Sequence, residues 1–251
     1  MRILTRKVLS ASLALIGLSV GSAGIASANL VSNGGFESTG YSDSTVFSGV
    51  NTTAATGWTS TGTYVLLCYP TSCDNTSLPN LGGFALAGPA NGHANALGPS
   101  PNGGNYMGFD ADSNFSGSFS QTINGLTPGA KYTLSFYMAG AQELNGGGPT
   151  TESLQVSLGT DSYTTPTIST PSQGFSPWTL YTTTLTANNT SEVLSFLAVG
   201  GPSGEPPYAL LDGVSLNSAV PEASTWLMII AGFAGMGAWA RVRRKAVVAA
   251  A

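Results

Sequence analysis

Between residues 29 and 219 apolar and polar side chains alternate with a period of two. Tyr132-Thr133-Leu134-Ser135-Phe136-Tyr137-Met138, Leu154-Gln155-Val156-Ser157-Leu158 and Leu194-Ser195-Phe196-Leu197 follow this pattern, and the Thr-rich run 178–186 is similarly strand-like. A period of two puts successive side chains on opposite faces of a strand. Further strands are expected over 63–68, 105–109, 116–123 and 208–216, which makes eight to ten short strands. Turn clusters separate them: Asn124-Gly125-Leu126-Thr127-Pro128-Gly129, Asn145-Gly146-Gly147-Gly148-Pro149 and Gly200-Gly201-Pro202-Ser203-Gly204. Gly and Pro stop regular structure at such points. No helix pattern interrupts the series, so the expected fold class is all-β, a jelly-roll β-sandwich. The stretch 70–101, rich in Gly, Pro, Asn and Ala, is too long for a tight turn and is expected to pass over one end of the sandwich, where binding loops often lie.

Composition changes this picture in one respect. Only 8% of the chain is charged, against about 25% in an ordinary soluble domain. The surface is therefore kept wet by Ser, Thr, Asn and Gly, a habit of exported proteins. Lys131 is the only basic residue between 29 and 219, where it faces eleven carboxylates. One cation cannot neutralise a run of phosphates, so nucleic acid is excluded as a partner. One His and two Cys cannot build a four-ligand zinc site or an iron–sulfur cluster.

The basic residues lie instead at the two ends. Residues 1–28 begin with Arg2, Arg6 and Lys7, continue through an uncharged run from Val8 to Val20, and finish Ala26-Ser27-Ala28. That is the order of a secretory signal peptide, with cleavage expected before Asn29; a retained anchor is the alternative. Residues 29–219 form the β domain and 220–251 a tail. Within the tail, 223–240 carry no charge and would make a helix of about 27 Å, close to the roughly 30 Å of a hydrocarbon core. Trp226 and Trp239 stand near its borders, and Arg241, Arg243, Arg244 and Lys245 follow directly. A membrane-spanning helix with its basic end inside is expected.

Val220, Pro221 and Glu222, the apolar span and the terminal basic cluster together resemble the PEP-CTERM sorting signal of Gram-negative bacteria, although the third motif residue is Ala223 rather than Pro. The resemblance implies an exosortase-like processing partner, transient residence in the inner membrane, and a final place at the outer surface or in the extracellular matrix alongside exopolysaccharide. A second resemblance covers most of the β domain. Asn29-Leu30-Val31-Ser32-Asn33-Gly34-Gly35-Phe36-Glu37, Gly57-Trp58, the stretch from Gln121-Thr122-Ile123 to Phe136, and Leu210-Leu211-Asp212-Gly213-Val214-Ser215-Leu216 are similar to galactose-binding-domain-like jelly rolls, among them many carbohydrate-binding modules. Modules of that family hold a structural calcium ion where first and last strands meet, and the matching carboxylates here are Glu37 and Asp212. Calcium takes six to eight oxygens; the alternative is that each carboxylate accepts backbone hydrogen bonds near a strand end.

The remaining candidate chemistry is sparse. Asp110-x-Asp112-x-Asn114 starts like a calcium loop but has Phe115 at position six and Gln121 at position twelve, so a solvated turn is expected. Cys68 and Cys73 are expected to form a local disulfide in an oxidising compartment, contributing roughly 2 kcal/mol by loop entropy. His93, the only imidazole, sits in a loop with no nucleophile motif in the chain, so no catalytic residue is assigned. For sugar binding, which needs an aromatic platform and neighbouring amides, Tyr69, Asn91, Asn95 and Tyr106 are the candidates, while Trp58 and Trp178 are expected in the core. The functional expectation is an exported, non-enzymatic domain that binds carbohydrate in an exopolysaccharide or biofilm matrix. A structural or adhesive surface protein without sugar recognition is the first alternative, and a secreted hydrolase the second.

Overall fold

A computed structural model describes residues 28–39, 46–48, 55–62, 64–68, 86–87, 100–143, 146–219, 229–237 and 239. Among these, the domain consists of β1 (Val46–Ser48), β2 (Thr59–Ser60), β3 (Val65–Cys68), β4 (Tyr106–Asp110), β5 (Ser118–Asn124), β6 (Lys131–Gln142), β7 (Thr150–Leu158), β8 (Asp161–Thr164), β9 (Ile168–Thr170), β10 (Phe175–Thr186), β11 (Ser191–Gly201) and β12 (Pro207–Ser218). They form two antiparallel sheets. Sheet 1 runs β1-β3-β4-β12-β6-β10; sheet 2 runs β2-β5-β11-β7-β8, with β9 paired to β7. The expected β-sandwich is the observed architecture.

Alternation decides what each strand buries. Tyr132, Leu134, Phe136 and Met138 of β6 point between the sheets together with Leu154, Val156 and Leu158 of β7 and Leu194 and Phe196 of β11. Trp58 lies at the centre of this core, stacked on Phe119 at 4.7 Å and edge-on to Phe36 at 5.6 Å. The N-terminal segment is laced to the last strand: Leu30 N–H donates to the Leu216 carbonyl, Leu216 N–H to Asn29 Oδ1, and Val214 N–H to the Gly34 carbonyl.

A second apolar layer covers part of the outer face of sheet 1. Leu66, Cys68, Tyr106, Ala139, Ala141, Tyr208 and Leu210 form it, joined by Leu86 and flanked by Phe175 and Trp178. Ala87 N–H donates to the Gln142 carbonyl at 2.7 Å. Of the long 70–101 excursion, Leu86 and Ala87 lie against this sheet face. This layer also explains why β6 continues beyond Met138: its last four residues are covered on both sides.

Several expectations fall on residues outside the description: the signal peptide over 1–27, His93, Cys73, Tyr69, Asn91, Asn95, Val220, Pro221, Glu222, Arg241, Arg243, Arg244 and Lys245. Of the expected 223–240 span, 229–237 are helical, with Ile230, Phe233 and Met236 exposed. Among the described residues no helix is long and apolar enough to cross a membrane.

Candidate functional site: an acid pair beside an open sheet face

The sequence Leu211-Asp212-Gly213 breaks the register of β12 against β6 between Asp212 and Ser215. Gly213 takes φ +60° there, a left-handed conformation that glycine adopts without the Cβ penalty. Asp212 is fully buried. Its Oδ1 accepts the Gly213 N–H at 2.6 Å and Asn102 Nδ2 at 3.5 Å, and its Oδ2 accepts the Ser100 hydroxyl. Glu37 is brought to the same place by the segment that follows: its Oε1 accepts the Asn105 N–H at 2.8 Å, and Asn105 Nδ2 donates to the Phe36 carbonyl. Burial pushes the Asp212 carboxyl up from an ordinary 3.8 to about 7, and the charge of Glu37 adds to this; the Ser100 and Gly213 hydrogen bonds oppose it. The charge of Glu37 acts on Asp212, so the structure brings together the two carboxylates assigned by resemblance, Asp212 buried beside a strap made of residues 100–105 and Glu37 exposed.

The oxygens here are those of two carboxylates and the Ser100 hydroxyl, while Asn102 turns its amide nitrogen to Asp212. A buried carboxylate pushed towards its neutral form beside a second carboxylate, with no basic side chain among its recorded partners, fits a hard cation such as calcium.

The Asp110–Asp112 pair is different. Asp112 Oδ1 accepts the Asn114 N–H at 2.9 Å and Asn114 Nδ2 at 3.0 Å, and its Oδ2 accepts the Gly204 N–H at 3.0 Å. These donors hold the carboxyl below its usual range. Asp110 accepts the Asp112 N–H, and burial raises it to about 6, with the charges of Asp112 and Glu143 adding. The expected solvated turn is corrected to a buried one: both side chains are covered, because the turn after β4 is tied to the turn before β12.

Beside the strap, the outer face of sheet 1 is open. Tyr137 of β6 points out of the sheet, half-buried, across from Leu180 of β10, which is 54% exposed. The next rank is Thr182, Ser135 and Ser215, aligned across β10, β6 and β12. Ser135 and Ser215 share a hydrogen bond at 3.3 Å, and Asn217 Nδ2 donates to Ser215 Oγ at 2.8 Å. The centre of this face is an aromatic ring and an aliphatic side chain bordered by hydroxyls and an amide.

Sequence reasoning missed Tyr137 and Leu180 as site residues. Both were signalled by occupying the polar phase of their strands, where alternation calls for Thr or Ser. Tyr106, expected at a binding surface, is 1% exposed, packed edge-on to Trp178 at 5.4 Å in the second apolar layer. Trp58 is in the core as expected, whereas Trp178 sits in that outer layer, its indole N–H without a partner among the described residues. Cys68 is buried at the end of β3, and Cys73 lies outside the description.

No protein-family model and no curated protein matches the chain. Among solved structures, similarity is found to the family 61 carbohydrate-binding module TmCBM61 in complex with β-1,4-galactotriose, at 18% identity and TM-score 0.44, covering 77% of this chain and 100% of that one. The N-terminal cellulose-binding domain of Cellulomonas fimi β-1,4-glucanase C is similar at 16% identity and TM-score 0.33 (77% and 99% covered). A family 11 carbohydrate-binding module from Clostridium thermocellum, in complex with a β-1,3-1,4-mixed-linked tetrasaccharide, is similar at 8% identity and TM-score 0.31 (67% and 93% covered). Similarity of this degree assigns no ligand.

Proposed function

We propose that residues 29–219 are an exported, non-enzymatic carbohydrate-binding domain whose contact surface is the outer face of sheet 1. The observation that carries this reading is the open face itself, with Tyr137 and Leu180 among Ser135, Thr182, Ser215 and Asn217. A sugar ring offers an apolar C–H face and a rim of hydroxyls, and it needs a ring or aliphatic surface together with neutral hydrogen-bonding groups. The acidic body disfavours polyanionic glycans at low salt, so the ligand is a neutral one or one bridged by cations. Asp212, buried beside the strap, and the exposed Glu37 act as a structural pair and would hold calcium together with Ser100 and Asn102. Tyr69, Asn91 and Asn95 are proposed as further sugar contacts, and a Cys68–Cys73 bridge would staple the start of the excursion.

Calorimetric titration of the full chain with neutral oligosaccharides and the host's exopolysaccharide tests the binding. Saturable binding is expected, weakened about five- to thirtyfold in Tyr137→Ala, the value of roughly 1–2 kcal/mol of ring contact. Absence of binding with and without calcium would leave a structural or adhesive surface protein. Chelation is expected to lower the melting temperature by about 5–10 °C and to have no effect on Asp212→Asn; an unchanged value in the parent chain rejects a tightly held ion.

Export and sorting belong to the same proposal. The tail from Val220 to Lys245 would be read by an exosortase-like enzyme, releasing the domain to the outer surface or matrix. In cells the mature mass should then lack residues 223–251, and a mature chain that retains them refutes processing.

A further inference from the structure

Each sheet has two edges, and an unpaired edge offers its N–H and C=O groups to any strand that reaches it. Among the described residues three of the four edges are short: β1 has three residues, β2 two, and the β8 and β9 segments four and three. The fourth is β10, twelve residues long and paired on one side, with β6.

The ladder fixes which groups of β10 are free. Directly after it, Ala187 N–H donates to the Ala130 carbonyl at 3.0 Å, and the Ala187 carbonyl accepts the Gly129 N–H at 2.7 Å. Bonding alternates along an antiparallel strand, so Leu185, Thr183, Tyr181 and Thr179 bond towards β6, while Thr186, Thr184, Thr182 and Leu180 turn their backbone groups away. The Thr186 N–H agrees, since it donates outward to Asp161 Oδ2 at 2.7 Å. At the other end Ser176 Oγ donates to the Ser169 carbonyl at 2.6 Å, and Pro177 has no N–H to offer. Between these two ties the backbone groups that Leu180, Thr182 and Thr184 turn outward have no partner among the described residues, and their side chains are exposed. Strand edges are usually guarded by charge, proline or shortness; β10 carries no charged residue, and its one proline precedes this stretch.

We propose that β10 is a self-association edge: a second copy of this chain adds its own β10 antiparallel about a two-fold axis at Thr182, joining two six-stranded sheets into one. The strip is complementary to itself. Thr182 exchanges both backbone bonds with its counterpart, and Leu180 and Thr184 exchange theirs with each other, which makes six ladder bonds. Thr186, capped by Asp161, and Trp178, next to Pro177, are equidistant from Thr182, so the pairing stops at the same place in both copies. Charge selects this strip as well. With eleven carboxylates and one Lys between residues 29 and 219, two copies repel each other except where they meet through a neutral surface. Asp161 and its counterpart end up at opposite ends, eight residues or about 27 Å apart along the strands, well beyond a Debye length of about 10 Å. The axis is perpendicular to the sheet, so both Tyr137–Leu180 surfaces lie on one side; the pairing does not depend on what they bind.

Sedimentation equilibrium of the full chain in mild detergent, without sugar, tests this. Six ladder bonds without a large apolar core make a weak interface, so a monomer–dimer equilibrium is expected between about 10 μM and about 1 mM. Association should tighten at least about threefold as salt rises from about 0.05 M to about 0.5 M, because the bodies repel. Thr182→Lys, which sets two like charges opposite each other with Cα atoms about 5.5 Å apart, should leave a folded monomer. Thr182→Cys should oxidise to a covalent dimer at least about tenfold faster than Leu180→Cys or Thr184→Cys, whose counterparts lie about 14 Å away along the strand, past the roughly 7 Å Cα limit of a disulfide. A parent chain monomeric over the whole range, or a dimer that loosens with salt, survives Thr182→Lys or cross-links alike in all three cysteine variants, overturns the proposal.

Discussion

Trp58→Ala should lose about 3–5 kcal/mol of stability, the range for removing a large aromatic from a closed core. Against a total of roughly 5–15 kcal/mol for a domain, that leaves a chain at or near the edge of folding. The reason is the number of groups meeting at one ring. Trp58 stacks on Phe119 with planes 2° apart, meets Phe36 and Phe196, and is fully buried. Its Nε1 also donates to the Asn33 carbonyl at 3.1 Å, at the turn that carries the chain to Glu37. Trp58→Phe keeps a ring but leaves that carbonyl without its donor, and should lose about 1–2 kcal/mol less the part that repacking recovers. Denaturant unfolding of the full chain at constant m-value measures both. An Ala variant within about 1 kcal/mol of the parent would contradict the described packing.

The second large effect is a stability that falls as pH rises. Asp110, Glu152 and Asp212 are held at about 6, 7 and 7, above ordinary values of 3.8, 4.5 and 3.8. Each keeps a proton in the fold that the unfolded chain has already released. Their contribution is fully present below the unfolded values and is lost as pH rises through the folded ones. Glu152 alone, fully covered, accounts for about 3 kcal/mol between roughly pH 4.5 and pH 7. Asp112 acts in the opposite sense, but only below about pH 4, because its carboxyl is held under 3.8. The chain should therefore be more stable at about pH 5 than at about pH 8, and Glu152→Gln should flatten most of the slope. Adding calcium should flatten the part due to Asp212. A stability constant or rising over that interval would mean that the buried acids are ionised in the fold.

What the chain discloses before folding depends on whether a strand has one face wet. β6, β7, β10 and β11 announce themselves because Thr and Ser alternate with Leu, Phe and Tyr. β2, β8 and β9 are two to four residues long, too short for a period to register, although Gly159-Thr160 between Leu158 and Asp161 has the glycine-first form of a two-residue hairpin. The outer apolar layer was not legible, since Ala139, Ala141 and Leu66 look like ordinary strand residues until Leu86 is seen to cover them. The acid pair was found from the resemblance of its flanking motifs. The strap of residues 100–105, beside which Asp212 is buried and Glu37 exposed, reads only as a turn. Tyr137 shows how an outward-facing ring goes unnoticed when a strand is read for composition and not for phase.

The lacing of the N-terminal segment onto β12 also decides how the domain bears load. Ala219 N–H donates to the Lys131 carbonyl at 2.9 Å, and directly before it β12 lies between β4 and β6 at the middle of sheet 1. A pull applied at residue 219 enters along the axis of that strand. Antiparallel ladder bonds run perpendicular to the strand, so the pull meets those to β6, and beyond them those to β4 and Leu30, in shear, all sharing the force, instead of opening them one at a time. A domain tethered through its C-terminal side would yield first in its edge strands, and last at the strand that carries the tether.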